Sequence, residues 1–391
     1  MKQAISYVLV TPYTVAKSRT GGIIARLLSQ VDLELVGAQM IAPDAEFLRE
    51  YAAMLREQNA SGSVTLLADY MERNFAPSGG RRHSALLLLF RGAQPCEKLT
   101  RICGHLHAEH REQDSITAET IRDTYADLII NPDHPEQVSY FEPAVMTPPD
   151  QAVADKDLRL FARFLPGQAN IIPYRNCPDP DQLERTLVII KPDNWQYASS
   201  KPGTIIDMFS RTGLRIVGVK VHRFSLAEAL EFYGPVEAAL QEKLAPRFGK
   251  KARELLEAEF GLRLSEEAEK VLTEYVGKVY AKDQFGQIIG FMSGLKPEAC
   301  SPEDIHHPGS VKCMILIYEG AKAIQKIRDV LGPTDPLKAP GGTVRRDFGS
   351  NVMVNTAHAS DSAASVEREM KIVRIHENSL GSLITDYLGQ S

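Results

Sequence analysis

Arg185-Thr-Leu-Val-Ile-Ile-Lys191-Pro192 and Ile5-Ser-Tyr-Val-Leu-Val-Thr11-Pro12 share one plan: an apolar run of strand length, a polar residue, then a proline that cannot continue a ladder. Working outward from each, the same landmarks recur in the same order. Gly21-Gly22-Ile23-Ile24 and Gly203-Thr204-Ile205-Ile206 each open a helix, and residues 33–40 and 214–221 form second strands with Gly37 opposite Gly218. Ala85-Leu-Leu-Leu-Leu-Phe90-Arg-Gly92 matches Cys313-Met-Ile-Leu-Ile-Tyr318-Glu-Gly320, Thr120-Ile-Arg122 matches Thr343-Val-Arg345, and Asn131-Pro-Asp-His134 matches Asn355-Thr-Ala-His358. Gly37 and Gly92 stand 55 residues apart, whereas Gly218 and Gly320 stand 102 apart, so the second half carries an insertion.

Each half reads strand, helix, strand, helices, strand, helix, long loop, strand. That order predicts an α+β chain of two tandem ferredoxin-like (βαββαβ) domains with helices on one face of each sheet, and a doubly wound parallel sheet is the alternative. Prolines at 148, 149, 178 and 180 flank an amphipathic stretch at 158–164. The predicted division is therefore a first domain at 1–143, a linker with one helix at 144–183, and a second domain at 184–391. Within the second, a helical lid at about 234–308 contains amphipathic helices over 247–262 and 266–282, with Pro297, Pro302 and Pro308 marking the return to the sheet.

The 391 residues are 43% apolar and 24% charged, which excludes collagen-like, mucin-like and wholly disordered chains. A formal net charge of −5 gives no bulk attraction to nucleic acid or to an anionic membrane, so any phosphate binding is local. No apolar run approaches bilayer length, and residues 1–4 lead into a strand without a signal-peptide core. The five cysteines form no Cys-x-x-Cys, so the expected compartment is the reducing cytoplasm, without disulfides.

The second half concentrates groups suited to phosphate chemistry on a chain without a Walker A motif; Gly249-Lys250-Lys251 reads as a solvated helix face. Lys191 closes the first strand, Arg328 follows Gly320 on a helix, Thr334 begins a proline-punctuated loop, and Arg345 follows Gly341-Gly342-Thr343. One lysine and two guanidinium forks suffice to balance a triphosphate. Asn355-Thr-Ala-His358-Ala-Ser360-Asp-Ser362 comes next. A histidine here is a candidate nucleophile, because a neutral imidazole keeps one ring nitrogen unprotonated, and Glu367 or Glu369 on the following helix is its candidate orienting carboxylate. His105, His107, His110, His306 and His307 lack accompanying cysteines or clustered carboxylates and are expected to face solvent, with no protein-only metal site.

These residues carry a resemblance. Arg185 to Asp193, Gly218-Val-Lys220, Tyr318-Glu-Gly320, Leu331-Gly-Pro-Thr-Asp-Pro336, Pro340-Gly-Gly-Thr-Val-Arg345-Arg-Asp-Phe348 and Asn355 to Ser362 together resemble the nucleoside diphosphate kinase family, and the likeness extends weakly over residues 4–142. It implies a Mg²⁺-dependent, ping-pong transfer from a nucleoside triphosphate to a nucleoside diphosphate. His358 resembles the phosphohistidine nucleophile, with Glu369 and Ser360 as its orienting partners. Lys191 and Asn355 resemble the groups that hold ribose hydroxyls and nearby phosphate, Arg328, Thr334 and Arg345 the phosphate clamp, and Tyr233 the active-site tyrosine. Val352 resembles one side of a base-stacking slot whose other side is assigned to Phe285. The resemblance also implies a homo-oligomer, and the charge and composition above predict no nucleic-acid or membrane partner. The competing class is a non-catalytic nucleotide-binding or scaffold protein.

Two departures matter. Ala359 stands where the family has glycine, which is tolerable if the backbone there does not need positive φ. In the first half Thr11 replaces the lysine, Thr100 stands for Arg328, and Pro135-Glu136-Gln137 follows His134 with Glu142 as the nearest carboxylate, so that half is expected to be degenerate.

Overall fold

The computed structural model describes residues 3–58, 62–78, 82–104, 119–131, 134–173, 182–377 and 379–390. The chain divides into two compact units: one of Met1–Val221, Met314–Met370 and Arg374–Ser391, the other of His222–Cys313 with Lys371–Val373.

The larger unit holds two four-stranded sheets. In chain order the strands are β1 (Ala4–Val10), β2 (Glu34–Ile41), β3 (Ala85–Gly92), the hairpin pair β4 (Asp127–Asn131) and β5 (His134–Glu142), β6 (Val145–Met146), β7 (Leu183–Ile190), β8 (Arg215–His222), β9 (Cys313–Ala321) and β10 (Ala357–Ala359). The sheet orders are β2-β3-β1-β6 and β10-β7-β9-β8, and β1 and β7 run antiparallel to their central partners β3 and β9. Fourth strand, first, third, second is the ferredoxin-like order twice over, so the fold is α+β and not a doubly wound parallel sheet.

The first sheet departs from one-sided cover. Val8 and Val10 of β1 belong to one core with Ile23, Leu27, Leu99 and Ile102, whereas Ile5, Tyr7 and Leu9 belong to a second core with Phe47, Leu67, Phe161 and Ile384. Helices therefore cover both faces: Thr20–Gln30 and Pro95–Cys103 on one, and Ala45–Gln58, Gln151–Phe164 and Leu380–Gln390 on the other. This explains why residues 85–90 of β3 are an uninterrupted apolar run and why both faces of β1 are apolar apart from Ser6, instead of one face being polar.

The first of these cores is shared by the two sheets, since Val188, Ile190, Leu316 and Tyr318 join the same cluster as Val8 and Leu88. Its centre is a helix pair, Thr20–Gln30 against Lys201–Ser210. A Cβ added to Gly203 would stand 2.1 Å from the Ala25 nitrogen, and one added to Gly21 would stand 2.4 Å from that of Asp207, so only glycine permits this approach. The matched glycines thus sit where two helices cross.

The smaller unit is helical. Ser225 caps Leu226–Phe260 through a reciprocal capping box with Glu228. This helix runs through Pro235 and Pro246, which corrects the expected start at 247. Each proline removes one helical donor, and Gly234, without a Cβ, relieves the crowding that normally ends a helix before Pro235. The second arm is Glu266–Leu272, a π-helical turn at Thr273–Gly277, and Lys278–Ser293, longer than the expected 266–282. Gly249 and Gly277 mark its closest approach to the first arm: a Cβ on Gly277 would lie 2.3 Å from the Ala245 oxygen. Among the described residues, no helix is long and apolar enough to cross a membrane.

Candidate active site

β10 brings the candidate nucleophile to β7. Ala357, His358 and Ala359 pair with Ile190, Ile189 and Val188, so His358 lies one strand from Lys191 at the end of β7. The backbone turns into β10 through Thr356, a non-glycine residue at φ 74°, held by its hydroxyl donating to the Phe348 oxygen at 3.0 Å. Ala359 lies within the strand and is not among the positive-φ residues, so the exchange of glycine for alanine costs no backbone strain here.

His358 Nε2 is 2.9 Å from Glu369 Oε2, and Ser360 Oγ donates to that same oxygen at 2.7 Å. Of the two candidate carboxylates, Glu369 is buried beneath the imidazole and Glu367 is exposed. The carboxylate fixes the proton on Nε2 and leaves the lone pair on Nδ1. Arg368, which the sequence reading passed over, places an N–H 3.4 Å from the other Glu369 oxygen; the charge alternation Glu367-Arg368-Glu369 was its only signal.

Lys191 donates to Asn355 Oδ1 at 2.7 Å, and Asn355 in turn donates to the backbone oxygens of Thr334 and Val352 at 3.1 and 2.8 Å. Asn355 thereby ties the strand-terminal lysine to the proline-rich loop and to the turn before β10. Burial, aided by the Arg345 charge, lowers the Lys191 pKa to about 8, against a smaller opposing pull from Asp193. Asn194, also unforeseen, donates to the oxygens of Lys191 and Thr356 at 2.9 and 2.8 Å and so couples the two strand ends.

Arg345 donates to the oxygens of Gly332 and Ala357, both at 3.0 Å. It braces β10 next to His358 and supplies positive charge from behind. Arg328 and Thr334 are exposed, and Arg328 is among the groups that hold the Asp361 carboxyl below its usual range, after the hydrogen bond from Ser365. Val352 is 57% exposed, an apolar surface left open beside this cluster. Tyr233 and Phe285 belong to the helical unit, both buried, with the Tyr233 ring 5.0 Å from that of Phe232. His307 is exposed and pairs with Asp304; His105, His107 and His110 lie outside the described residues.

The first half repeats this frame without its chemistry. Thr11 N–H donates to the Ala144 oxygen as Lys191 N–H does to that of Thr356, each at 3.0 Å, and Ala144 at φ 62° matches Thr356. Arg122 reaches the Gly104 and Val145 oxygens as Arg345 reaches those of Gly332 and Ala357. The Gly104 N–H bonds the Thr100 oxygen as that of Gly332 bonds Arg328. Met146 pairs with Leu9 as His358 pairs with Ile189, so Met146, not His134, occupies the position that matches His358. The matching of Asn131 and His134 to Asn355 and His358 is thereby corrected: both lie in the β4–β5 hairpin, paired with each other, and their side chains lie outside the described residues. Asp157, as far beyond Met146 as Glu369 is beyond His358, accepts from Tyr7 at 2.7 Å. Glu142 accepts from the Thr11 hydroxyl at 2.5 Å and is pushed up to about 7 by burial.

The nucleoside diphosphate kinase family profile matches residues 184–241 and 236–378. A nucleoside diphosphate kinase of Hyperthermus butylicus is 34% identical over 190 residues, covering 49% of this chain and 91% of the relative. One from Halorhodospira halophila is 28% identical over 189 residues, covering 48% and 91%. The crystal structure of an NDP kinase from Pyrobaculum aerophilum aligns at 28% identity over 49% of this chain and 94% of its own, with a TM-score of 0.33. The chain belongs to the nucleoside diphosphate kinase family, through its second half.

Proposed function

We propose that the chain is a nucleoside diphosphate kinase working through His358, its first half (1–143) a degenerate domain joined by the 144–183 linker to a catalytic second domain (184–391). The observation that carries this reading is the His358–Glu369–Ser360 cluster at 2.9 and 2.7 Å, one strand from the buried Lys191. His358 Nδ1 attacks the γ-phosphorus of a nucleoside triphosphate that enters as its Mg²⁺ complex. The bond from phosphorus to the β–γ bridging oxygen breaks, the nucleoside diphosphate leaves, and the phosphoryl group stays on Nδ1. A second diphosphate then attacks the phosphorus, and its terminal oxygen takes the group as the imidazole leaves. Glu369 stabilises the positive charge that the ring acquires during each transfer.

Lys191 and Arg328 neutralise the phosphates, Arg345 adds charge while holding β10, Thr334 and Asn355 position the ribose and phosphates, and Val352 offers a stacking face for the base. The metal stays on substrate oxygens, coordinated by phosphate and water instead of a cage of side chains. Incubation with γ-labelled triphosphate and Mg²⁺ tests the reading: the protein should acquire acid-labile, base-stable label that chases onto added diphosphate. A His358→Ala variant that still labels and transfers at the normal rate refutes it.

A further inference from the structure

The larger unit contains a cavity of about 310 Å³ that the phosphotransfer reading does not use. In the sheet order β10-β7-β9-β8, His358 is on one edge strand and this cavity lies against the other. Arg215, Ile216 and Val217 of β8 form one wall, the helix end at Val15 and Ala16 a second, and Arg82, His83 and Ser84 before β3 a third. The linker adds one bridge, Ile171 opposite Gly218, with the Ile172 N–H donating to the Val217 oxygen at 2.8 Å.

Its chemistry is one-sided. The floor is aliphatic, from Val15, Ile172 and Ile216, while two arginines and a histidine line the same space and, among the described residues, no carboxylate does. The volume lies at the lower end of small-molecule sites, and a mostly apolar concavity with a few cationic groups is the usual form of such a site. Guanidinium groups select planar or tetrahedral oxyanions, which they bind through paired N–H donors. We propose that this cavity binds an amphipathic organic anion: a compact apolar body seated on the aliphatic floor, with one phosphate, carboxylate or sulfonate head at Arg82, while Arg215, whose guanidinium is held on the Ala16 oxygen, adds positive charge to the same wall. The cavity is separate from the phosphotransfer cluster, since β8 and the strand that carries His358 are opposite edges of one sheet.

The test uses the full chain and anilinonaphthalene sulfonate as the probe. The protein should enhance and blue-shift its fluorescence with one saturable site, displaced by octanoate or octyl phosphate and not by octanol; which of the two displaces better identifies the head group. Arg82→Glu reverses an exposed charge and should weaken binding at least tenfold. Ala16→Phe, also at an exposed position, should fill the cavity and remove the site. Both variants should keep the wild-type thermal transition and wild-type labelling at His358. No saturable site, equal displacement by octanol, or unchanged affinity in both folded variants would overturn the proposal.

Discussion

The reactivity proposed for His358 depends on what lies beneath it. Glu369 is nearly fully buried and accepts two hydrogen bonds on one oxygen, so Glu369→Gln removes the charge that offsets the imidazolium while keeping the shape. Hydrogen bonds to a charged group are worth about 1.5–3 kcal/mol, which predicts a fall of roughly 10- to 150-fold in the rate of His358 phosphorylation under single-turnover conditions. Ser360→Ala leaves the carboxylate in place and should cost less. Equal rates for Glu369→Gln and wild type would remove the orienting role. Lys191 gives the pH dependence. Burial favours its neutral form, so in the ligand-free protein the charge needed for phosphate is lost as pH rises through about 8. The expected kcat/KM for triphosphate declines from its plateau as the pH rises above that value. Lys191→Arg, whose charge does not titrate in this range, should lower the plateau and abolish the alkaline limb; a limb that persists in that variant assigns it to another group.

At the scale of the element, the two closing strands show what was legible and what was not. Apolar runs, prolines and paired glycines mark the central strands and the helix crossing, because burial and close approach restrict the residue types allowed there. The Asn-x-x-His repeat misled: residues 131 and 134 have the same letters as 355 and 358, but the β4–β5 hairpin sits before β6, and spacing without a register cannot reveal an inserted hairpin. Thr100 was placed correctly because it keeps the offset from Gly92 that Arg328 keeps from Gly320, and Arg122 because the Thr120-Ile-Arg122 triplet matches Thr343-Val-Arg345 despite a longer loop before it. In the second half spacing narrowed the partner of His358 to Glu367 or Glu369 and the family resemblance pointed to Glu369, which does bond the ring, whereas the use of both Arg345 terminal amino groups on carbonyls was not legible, since backbone acceptors leave no trace in side-chain pattern. The first half can therefore be tested by rebuilding it. Met146→His alone should add no second labelled histidine, as measured by label per chain, because Thr11 and Glu142 present a hydroxyl and a carboxylate where the other site presents a lysine. A stoichiometry rising from one towards two would show the first frame to be competent. The helix crossing gives a second prediction at this scale: Gly203→Ala forces a methyl group into backbone atoms and should cost ~1–3 kcal/mol or more in denaturant unfolding, whereas Gly213→Asn, in a left-handed turn with open space, should be near neutral.

Across the whole molecule, the shared core makes the two sheets of the larger unit one thermodynamic object. Val8 and Leu88 from one sheet and Val188 and Leu316 from the other lie in the same cluster, and each fully buried aliphatic side chain is worth about 1.5–3 kcal/mol. Losing several at once rivals a domain's total stability of ~5–15 kcal/mol. Residues 182–391 expressed alone should therefore melt well below the full chain or collect in aggregates, and the two sheets should unfold in the full chain in one transition by tryptophan fluorescence and circular dichroism. A truncated half that melts at the full-chain temperature would show the shared core to be dispensable.

The crossing of Thr20–Gln30 with Lys201–Ser210 also bears on how the chain is made. The first helix leaves the ribosome early, with the face meant for its partner uncovered, and the partner helix must still be translated. At ~5–20 residues per second the interval is on the order of ten to thirty seconds, long compared with the folding time of a small domain. During that window the nascent first half displays a glycine-notched apolar face open to other chains or to holding chaperones. Nascent chains stalled before residue 201 should be cut readily within residues 20–30 by added protease, and chains stalled well beyond residue 321 should resist.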